Sequence, residues 1–253
     1  MGLPTIAVPE YTLTIPSTKK EVKYRPFLVK EEKILLLAME SEKTEEIITA
    51  TKTIIENCVY GDINVEEMPT FDIEYIFLQL RAKAKGEVLD LKYKCPKCEL
   101  EIPININIDD IKVITNDKEH TKDIKLTEEL GVMMKYPNLS LQSKIAQAAT
   151  DKPEIEGLFE TMTACIDYIY DKETTYPAKD HTEQEMITFL ESLTDEQFRK
   201  ISNFFETSPA PKHSVELHCK NKVKEEKKEG TKGKKLCNYK EKLTLEGLNS
   251  FFA

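Results

Sequence analysis

Two thiols stand two residues apart in Cys95-Pro96-Lys97-Cys98, within the stretch KYKCPKCELEIPI at residues 92–104. Such a pair can chelate an ion, exchange disulfides, or be two ordinary reduced thiols. Redox exchange of the thioredoxin kind wants the first Cys at a helix N-terminus in a βαβ setting, where the dipole lowers the thiol pKa. Here an alternating, strand-like segment follows Cys98 instead. A structural zinc site needs four ligands, so a metal reading requires two more.

The chain holds six Cys. Cys58 and Cys165 lie in TIIENCVY and TMTACIDYIY, which have helical spacing with the thiol on or near the apolar stripe. Free cysteine is among the most buried residue types, so both are expected in the core. Cys219 and Cys237 remain. Cys219 ends the alternating segment HSVELHC, and Cys237 precedes another, YKEKLTL. Strand, thiols and strand therefore occur twice, the logic of a zinc ribbon in which two hairpin tips donate four thiolates to one tetrahedral ion.

The spacing of the second pair is unusual, because the run between Cys219 and Cys237 includes KNKVKEEKKEGTKGKK at Lys220–Lys235, eight Lys against three Glu. A longer hydrophilic loop adds only about 1 to 2 kcal/mol of closure entropy. Zinc binding contributes on the order of 10 kcal/mol. The insertion is energetically tolerable, and four unrelated thiols remain the bland alternative. His213 and His218 are near in sequence, but His218 alternates onto the strand face opposite Cys219 and is left out of the ligand set. The expected metal residues are Cys95, Cys98, Cys219 and Cys237, holding one structural Zn²⁺ per chain with no open coordination position. The lysine run, poor in apolar residues, is expected to be an exposed, mobile loop.

The elements that must position these thiols are read from periodicity. Residues 1–28 contain Pro4, Pro9, Pro16 and Pro26, spaced too closely for a helix, and predict an extended arm with one or two short strands. Either it completes a sheet or it docks on a neighbouring subunit. Residues 29–86 form a helical segment: two helices broken near Ser41–Thr44, then one capped by Thr70 and ended by Gly86. Period two takes over in residues 87–115, the first β hairpin with its C-x-x-C knuckle. Residues 116–211 are expected to be a mainly helical body after an irregular or short-strand start, with helices near 140–149 and 154–170. Thr182-Glu-Gln-Glu185 and Thr194-Asp-Glu-Gln197 both fit the capping box. Phe198, Ile201, Phe204 and Phe205 are a core stripe. Residues 212–253 hold the second hairpin, the lysine-rich insertion and a C-terminal tail. The fold class is α+β, with helix exceeding strand, and the small zinc-ribbon-like β module joins two sequence-distant hairpins.

With 253 residues the chain can bury its own core. Its net charge of −9 disfavours a nucleic-acid coat, although the lysine run keeps a zinc-ribbon nucleic-acid binder as a third reading. No apolar run reaches the about 18 residues of a membrane span, and no secretory leader pattern is evident, so the chain is expected to stay in the cytosol or to leave the cell by a route other than secretion, without membrane association. The catalytic checklist is thin: no glycine-rich phosphate loop, no His-Glu-x-x-His, no Gly-x-Ser-x-Gly. Asp109-Asp110 and the pair Asp167 and Asp171 read as solvated acids. The chain is read as a non-enzyme without a small-molecule substrate.

Several stretches together resemble the T4-type phage baseplate hub protein family of contractile-tailed bacteriophages. They are LPTIAVPEYTLTIPSTKKEVKYRPFLVKEEKILLLAMES, YKCPKCELEIPININIDDIKV, MMKYPNL, ACIDYIYDKETTY, FLESLTDEQFRKISNFFETSPAPKH and LTLEGLNSFF, nearly the whole chain. The resemblance implies a structural component of the baseplate hub that contacts other hub and tail proteins. The alternative it allows is a transient hub assembly factor absent from the finished virion. It places the protein in the host cytoplasm during assembly, and in the virion tail baseplate if it is a subunit. No catalytic residues transfer. In relatives the second cysteine pair looks like a compact Cys-x-x-Cys knuckle, and the lysine-rich insertion is where this chain departs.

Overall fold

The computed structural model describes residues 6–115, 120–148, 154–226 and 232–246. Strand β1 (Tyr11–Thr14) turns back into β2 (Glu21–Tyr24), pairing Tyr11 with Tyr24 and Thr14 with Glu21. Period-two alternation puts Leu13, Ile15, Val22 and Tyr24 inside. Helices α1 (Val29–Glu40) and α2 (Thr44–Cys58) follow, broken where expected. Strand β3 (Val59–Tyr60) then joins the edge of β2, and α3 (Thr70–Lys85) ends at Gly86, whose φ of 109° only glycine adopts cheaply. Thr70 is the first helical residue of α3, after an N-cap at Pro69, so the expected Thr70 cap is displaced by one position. Of the two readings of the extended segment, the described residues from Tyr11 onward have the sheet-completing one: their inner face shares one core with Ile54, Ile55, Ile76 and Leu80.

Two buried acids fasten this part. Glu31 is fully buried in α1 and accepts a 2.9 Å bond from Arg25 Nη2 and a 2.9 Å bond from the Leu28 N–H. Arg25 also donates to the carbonyls of Pro26 and Asn57, each at 3.0 Å, which ties the hairpin to α1 and to the end of α2. Burial pushes the Glu31 carboxyl up, but the Arg25 guanidinium and the Leu28 N–H outweigh it and hold the group below the usual carboxylate range. Asp72, in the first turn of α3, accepts from the Ser17 N–H at 3.0 Å and from the Ser17 hydroxyl, pinning the β1–β2 turn. Its burial raises the carboxyl despite those bonds.

The chain then makes the hairpin β4 (Val88–Lys94) and β5 (Glu101–Asn107), followed by β6 (Lys112–Ile114). Next come β7 (Asp123–Lys125), β8 (Gly131–Met134), α4 (Leu139–Ala148), α5 (Glu154–Ala164), β9 (Ile166–Tyr170) and β10 (Thr175–Pro177). Helices α6 (Glu183–Glu191) and α7 (Asp195–Thr207) complete this body. The four strands form one antiparallel sheet in the order β10-β9-β8-β7, so the described residues of 116–211 combine helices with a four-stranded sheet. The helix expected over 154–170 stops at Ala164, because Ile166, Tyr168, Ile169 and Tyr170 are β-branched or aromatic and pair with β8. Gly131 in β8 faces Tyr170, where any Cβ would lie 2.3 Å from the ring. Both capping boxes form: Thr182 with Glu185 and Thr194 with Gln197 exchange reciprocal bonds. Ile201 and Phe204 are buried in the core of this body, with Phe198 and Phe205 packed against it.

Strand β11 (Ala210–His218) brings the chain back. Its first residues pair with β6, Ala210 opposite Ile114, and the rest pairs with β14 (Lys240–Glu246), Lys212 opposite Glu246 through His218 opposite Lys240. The segment between β6 and β11 is thus inserted into a β module, whose core of Leu89, Ile104, Ile106 and Leu217 closes on Leu78 and Ala82 of α3. β6 belongs to the sheet of β11 and not to the β4–β5 hairpin. The lysine run is a second correction. Where a loop was expected, its described residues pair as an antiparallel ribbon, β12 (Lys222–Glu226) with β13 (Lys232–Leu236), and residues 227–231 of the run lie outside the described residues. Among the described residues helix exceeds strand, as expected for this α+β chain. No helix among them is long and apolar enough to cross a membrane.

The Arg25–Glu31 pair generates a stability test. Arg25→Met takes the guanidinium from a buried carboxylate, leaving it the Leu28 N–H and Lys30 Nζ at 3.3 Å, and should lower the unfolding free energy by about 3 kcal/mol in urea titrations at pH 7. Arg25→Met with Glu31→Met should cost less than the single change, because no buried charge is left unpaired. The sign in pH follows from the depressed Glu31 pKa: the contribution is present above the unfolded carboxyl value and fades as pH falls through the folded one. The wild-type advantage over the double variant should therefore shrink on acidification.

Candidate metal centre

The first knuckle is built by the β4–β5 register, which runs from Val88 opposite Asn107 to Lys94 opposite Glu101 and leaves Cys95 to Leu100 as its tip. The Cys95 N–H donates to the Leu100 carbonyl at 2.9 Å, and the Glu99 N–H returns to the Cys95 carbonyl at 2.8 Å. That tight return places Glu99 at a φ of 60°.

The second knuckle repeats this geometry from a different sequence. The Cys219 N–H donates to the Tyr239 carbonyl at 2.8 Å, and the Asn238 N–H returns to the Cys219 carbonyl at 3.0 Å, with Asn238 at a φ of 51°. Cys219 thus stands where Cys95 does, Cys237 where Cys98 does, and Asn238 where Glu99 does. The lysine-rich ribbon is spliced into the tip without disturbing it. Asn221 and Cys237 close its base, the Cys237 N–H donating to the Asn221 carbonyl at 2.9 Å. The Asn221 side-chain amide also donates to the Glu101 carbonyl at 3.1 Å, which ties one knuckle to the other.

The two tips face each other. Cys95 Sγ lies 3.7 Å from Cys237 Sγ, Cys98 Sγ lies 3.6 Å from Cys219 Sγ, and all four sulfurs fall within 4.8 Å of one another. These separations are far beyond a disulfide bond of about 2.05 Å. They match the edges of about 3.8 Å that a tetrahedron has when each sulfur sits about 2.3 Å from a central ion. Cys95, Cys219 and Cys237 are buried and Cys98 is half-buried, with Ile102, Tyr93 and Tyr239 packed around them.

The electrostatics fit a cation. Burial pushes the Cys219 thiol up to about 12 and also raises Cys237. Burial acts on Cys95 too, but backbone N–H groups of Cys98 and Lys97 outweigh it and hold that thiol at about 7. A central cation reverses the cost of placing several thiolates together, because a coordinating thiol is deprotonated outright. The four cysteines can therefore hold a metal ion, and they are the four singled out from the sequence.

The other sequence candidates lie elsewhere. Cys58 and Cys165 are fully buried in separate cores, and burial raises their thiols to about 11 and about 12. His218 is exposed, and His213 approaches the Asp110 carbonyl at 3.4 Å instead of the sulfurs. Sequence reasoning missed Asn221, Glu99 and Asn238, which shape the tips. No glycine marks the two left-handed positions, so composition carried no signal for them.

Neither the curated proteins nor the solved structures yield a match to the chain. A family model does, that of the T4 bacteriophage base plate protein, and it matches residues 8–253. That span takes in both knuckles, the inserted body and the N-terminal hairpin, so the chain belongs to the T4 bacteriophage base plate protein family.

Proposed function

We propose that this protein is a structural, non-catalytic component of the hub of a contractile-tail baseplate, with one structural Zn²⁺ held by Cys95, Cys98, Cys219 and Cys237. The observation that carries the reading is the family match across residues 8–253, which implies a baseplate-related phage protein that interacts with other baseplate proteins. The surface of α1 supports action through protein contacts. Four apolar residues in a row, Ile34 to Leu37, cannot all share one helix face. Leu36, Leu37 and Met39 are about half exposed as a result, beside Val29.

The metal's part is to neutralise and cross-link four thiolates whose strands come from distant parts of the chain. Zinc suits the donor set because soft thiolates in tetrahedral array select it over harder cations. The residues do the rest: the Cys95 and Cys219 N–H groups lock each tip, and the Tyr93 and Tyr239 rings shield the sulfurs. Four protein ligands leave no position for water or substrate, which is why the centre is assigned a structural role.

Three measurements test this reading. Mass spectrometry of purified virions should find the chain at a stoichiometry matching other baseplate proteins; its absence from virions but presence in assembly intermediates would establish the assembly-factor alternative. Elemental analysis of protein purified without chelator should give one zinc per chain. Serine at any of the four ligands should lower that content sharply, while Cys58→Ser or Cys165→Ser should leave it unchanged. Finally, deleting Lys222–Leu236, which joins Asn221 to Cys237 as a compact Cys-x-x-Cys tip, should preserve zinc content and the far-ultraviolet circular dichroism spectrum. Loss of zinc in that deletion would show that the ribbon shapes the centre.

A further inference from the structure

Helix α1 carries its apolar residues on its exposed side. Of its side chains only Glu31 and Ala38 are buried, two turns apart and therefore on one face. Val29, Lys33, Leu36 and Glu40 recur at helical spacing, which puts them together on the opposite face. Leu37 flanks that stripe. Val29 is 81% exposed, Leu36 51% and Leu37 55%, where an ordinary surface helix is polar. The inner side is fastened by charge, Arg25 to Glu31 at 2.9 Å, with Lys85 to Glu32 at 2.6 Å beside it. Lys33 and Glu40 form no ion pair with the described residues. Glu40 also stands in the last turn of α1, which holds no basic residue, and the helix dipole disfavours an anion there.

We propose that this face binds a second copy of the chain, α1 packing antiparallel on α1 across a two-fold axis midway between Leu36 and Leu37. In that register Leu36 of each copy meets Leu37 of the other. Lys33 of each meets Glu40 of the other, because the two lie equally far from the axis on either side. A face that pairs with itself must be self-complementary in this way. The incoming Lys33 supplies the cation that the last turn lacks. A parallel pair would instead set Lys33 against Lys33 and Glu40 against Glu40, which is unfavourable. Charge singles out this face for self-association. The chain carries −9, so two copies repel at long range, while the outward stripe of α1 sets one lysine against one glutamate. The same neutrality gives anionic lipid nothing to attract. One helix face buries less than the about 800 Å² per partner of a standard interface, so the pair is concentration-dependent. This contact goes beyond the baseplate reading and does not rest on it.

Sedimentation equilibrium of the purified full chain, from low micromolar to several hundred micromolar, should show the mass rising from one chain toward two. Leu36→Glu with Leu37→Glu should hold it at one chain, with an unchanged circular dichroism spectrum because both side chains are exposed. Lys33→Glu and Glu40→Lys, each alone, should weaken self-association on the order of tenfold, since each sets like charges opposite one another twice. Mixing those two variants should restore a dimer with one chain of each, and the double variant Lys33→Glu with Glu40→Lys should again pair with itself. The mixture decides the register even where the leucine variant fails to fold. One-chain mass at every concentration overturns the proposal, as does a dimer that the charge variants leave unchanged or that mixing does not restore. Wild-type protein that stays at one chain but floats with phosphatidylglycerol vesicles, and loses this with Leu36→Glu and Leu37→Glu, reassigns the face to lipid and overturns it. So does one-chain mass together with α1 cross-linked, in isolated particles, to a different phage protein.

Discussion

Four sulfurs drawn from residues 95 to 237 meet within 4.8 Å, and the topology of the C-terminal half is organised around that meeting. Two hairpin tips must face each other for it to happen. β11 must therefore return to β6 after the whole inserted body, and β14 must follow β11 in antiparallel register. The core of the β module alone is modest, a few Ile and Leu side chains closed by one side of α3. The Zn²⁺ proposed for the tips would add to this what apolar burial does not supply, because loop-closure entropy over so long a chain separation is a cost that local contacts do not offset.

The two knuckles show how backbone geometry can be repeated without sequence identity. Both tips use one outward and one returning backbone bond, and both tolerate a left-handed residue that is not glycine. Asn is among the residues least penalised there, and Glu99 accepts a larger strain. The insertion enters and leaves the second tip beside the Asn221–Cys237 hydrogen bond, which closes the base of the ribbon next to the sulfurs.

The N-terminal part is held by a different means, buried charge instead of thiols. Glu31 and Asp72 are both fully buried, yet they shift in opposite directions, since at Asp72 burial outweighs the Ser17 bonds and the Lys19 charge, while at Glu31 the Arg25 guanidinium and the Leu28 N–H outweigh burial. Such groups add geometric specificity to a hairpin that apolar contacts alone would let slide, because each accepts bonds from one defined partner segment. This part meets the inserted body through the Thr70 N–H, which donates to the Pro137 carbonyl at 3.0 Å, and through the Asn138 side-chain amide, which donates to the Glu67 carboxylate at 3.3 Å.

The sequence by itself determined the elements whose signals are local: the break between α1 and α2, the stop at Gly86, both capping boxes, the period-two strands flanking the thiols, and the four candidate ligands. It also separated Cys58 and Cys165 from that set, since helical spacing placed them on apolar stripes. Tertiary structure alone decided the rest. Residues 11–24 read as an arm because prolines exclude helix, but whether an extended segment is free or buried depends on β3 and on α3, far along the chain. Ile166–Tyr170 could extend a helix until β8 offered it a ladder. The lysine run lacked any local reason to be a strand, and its pairing follows from the anchored ends at Asn221 and Cys237. Convergence of the sulfurs lay beyond the sequence for the same physical reason: spacing along a chain limits which groups can meet, and only long-range packing selects which of them do.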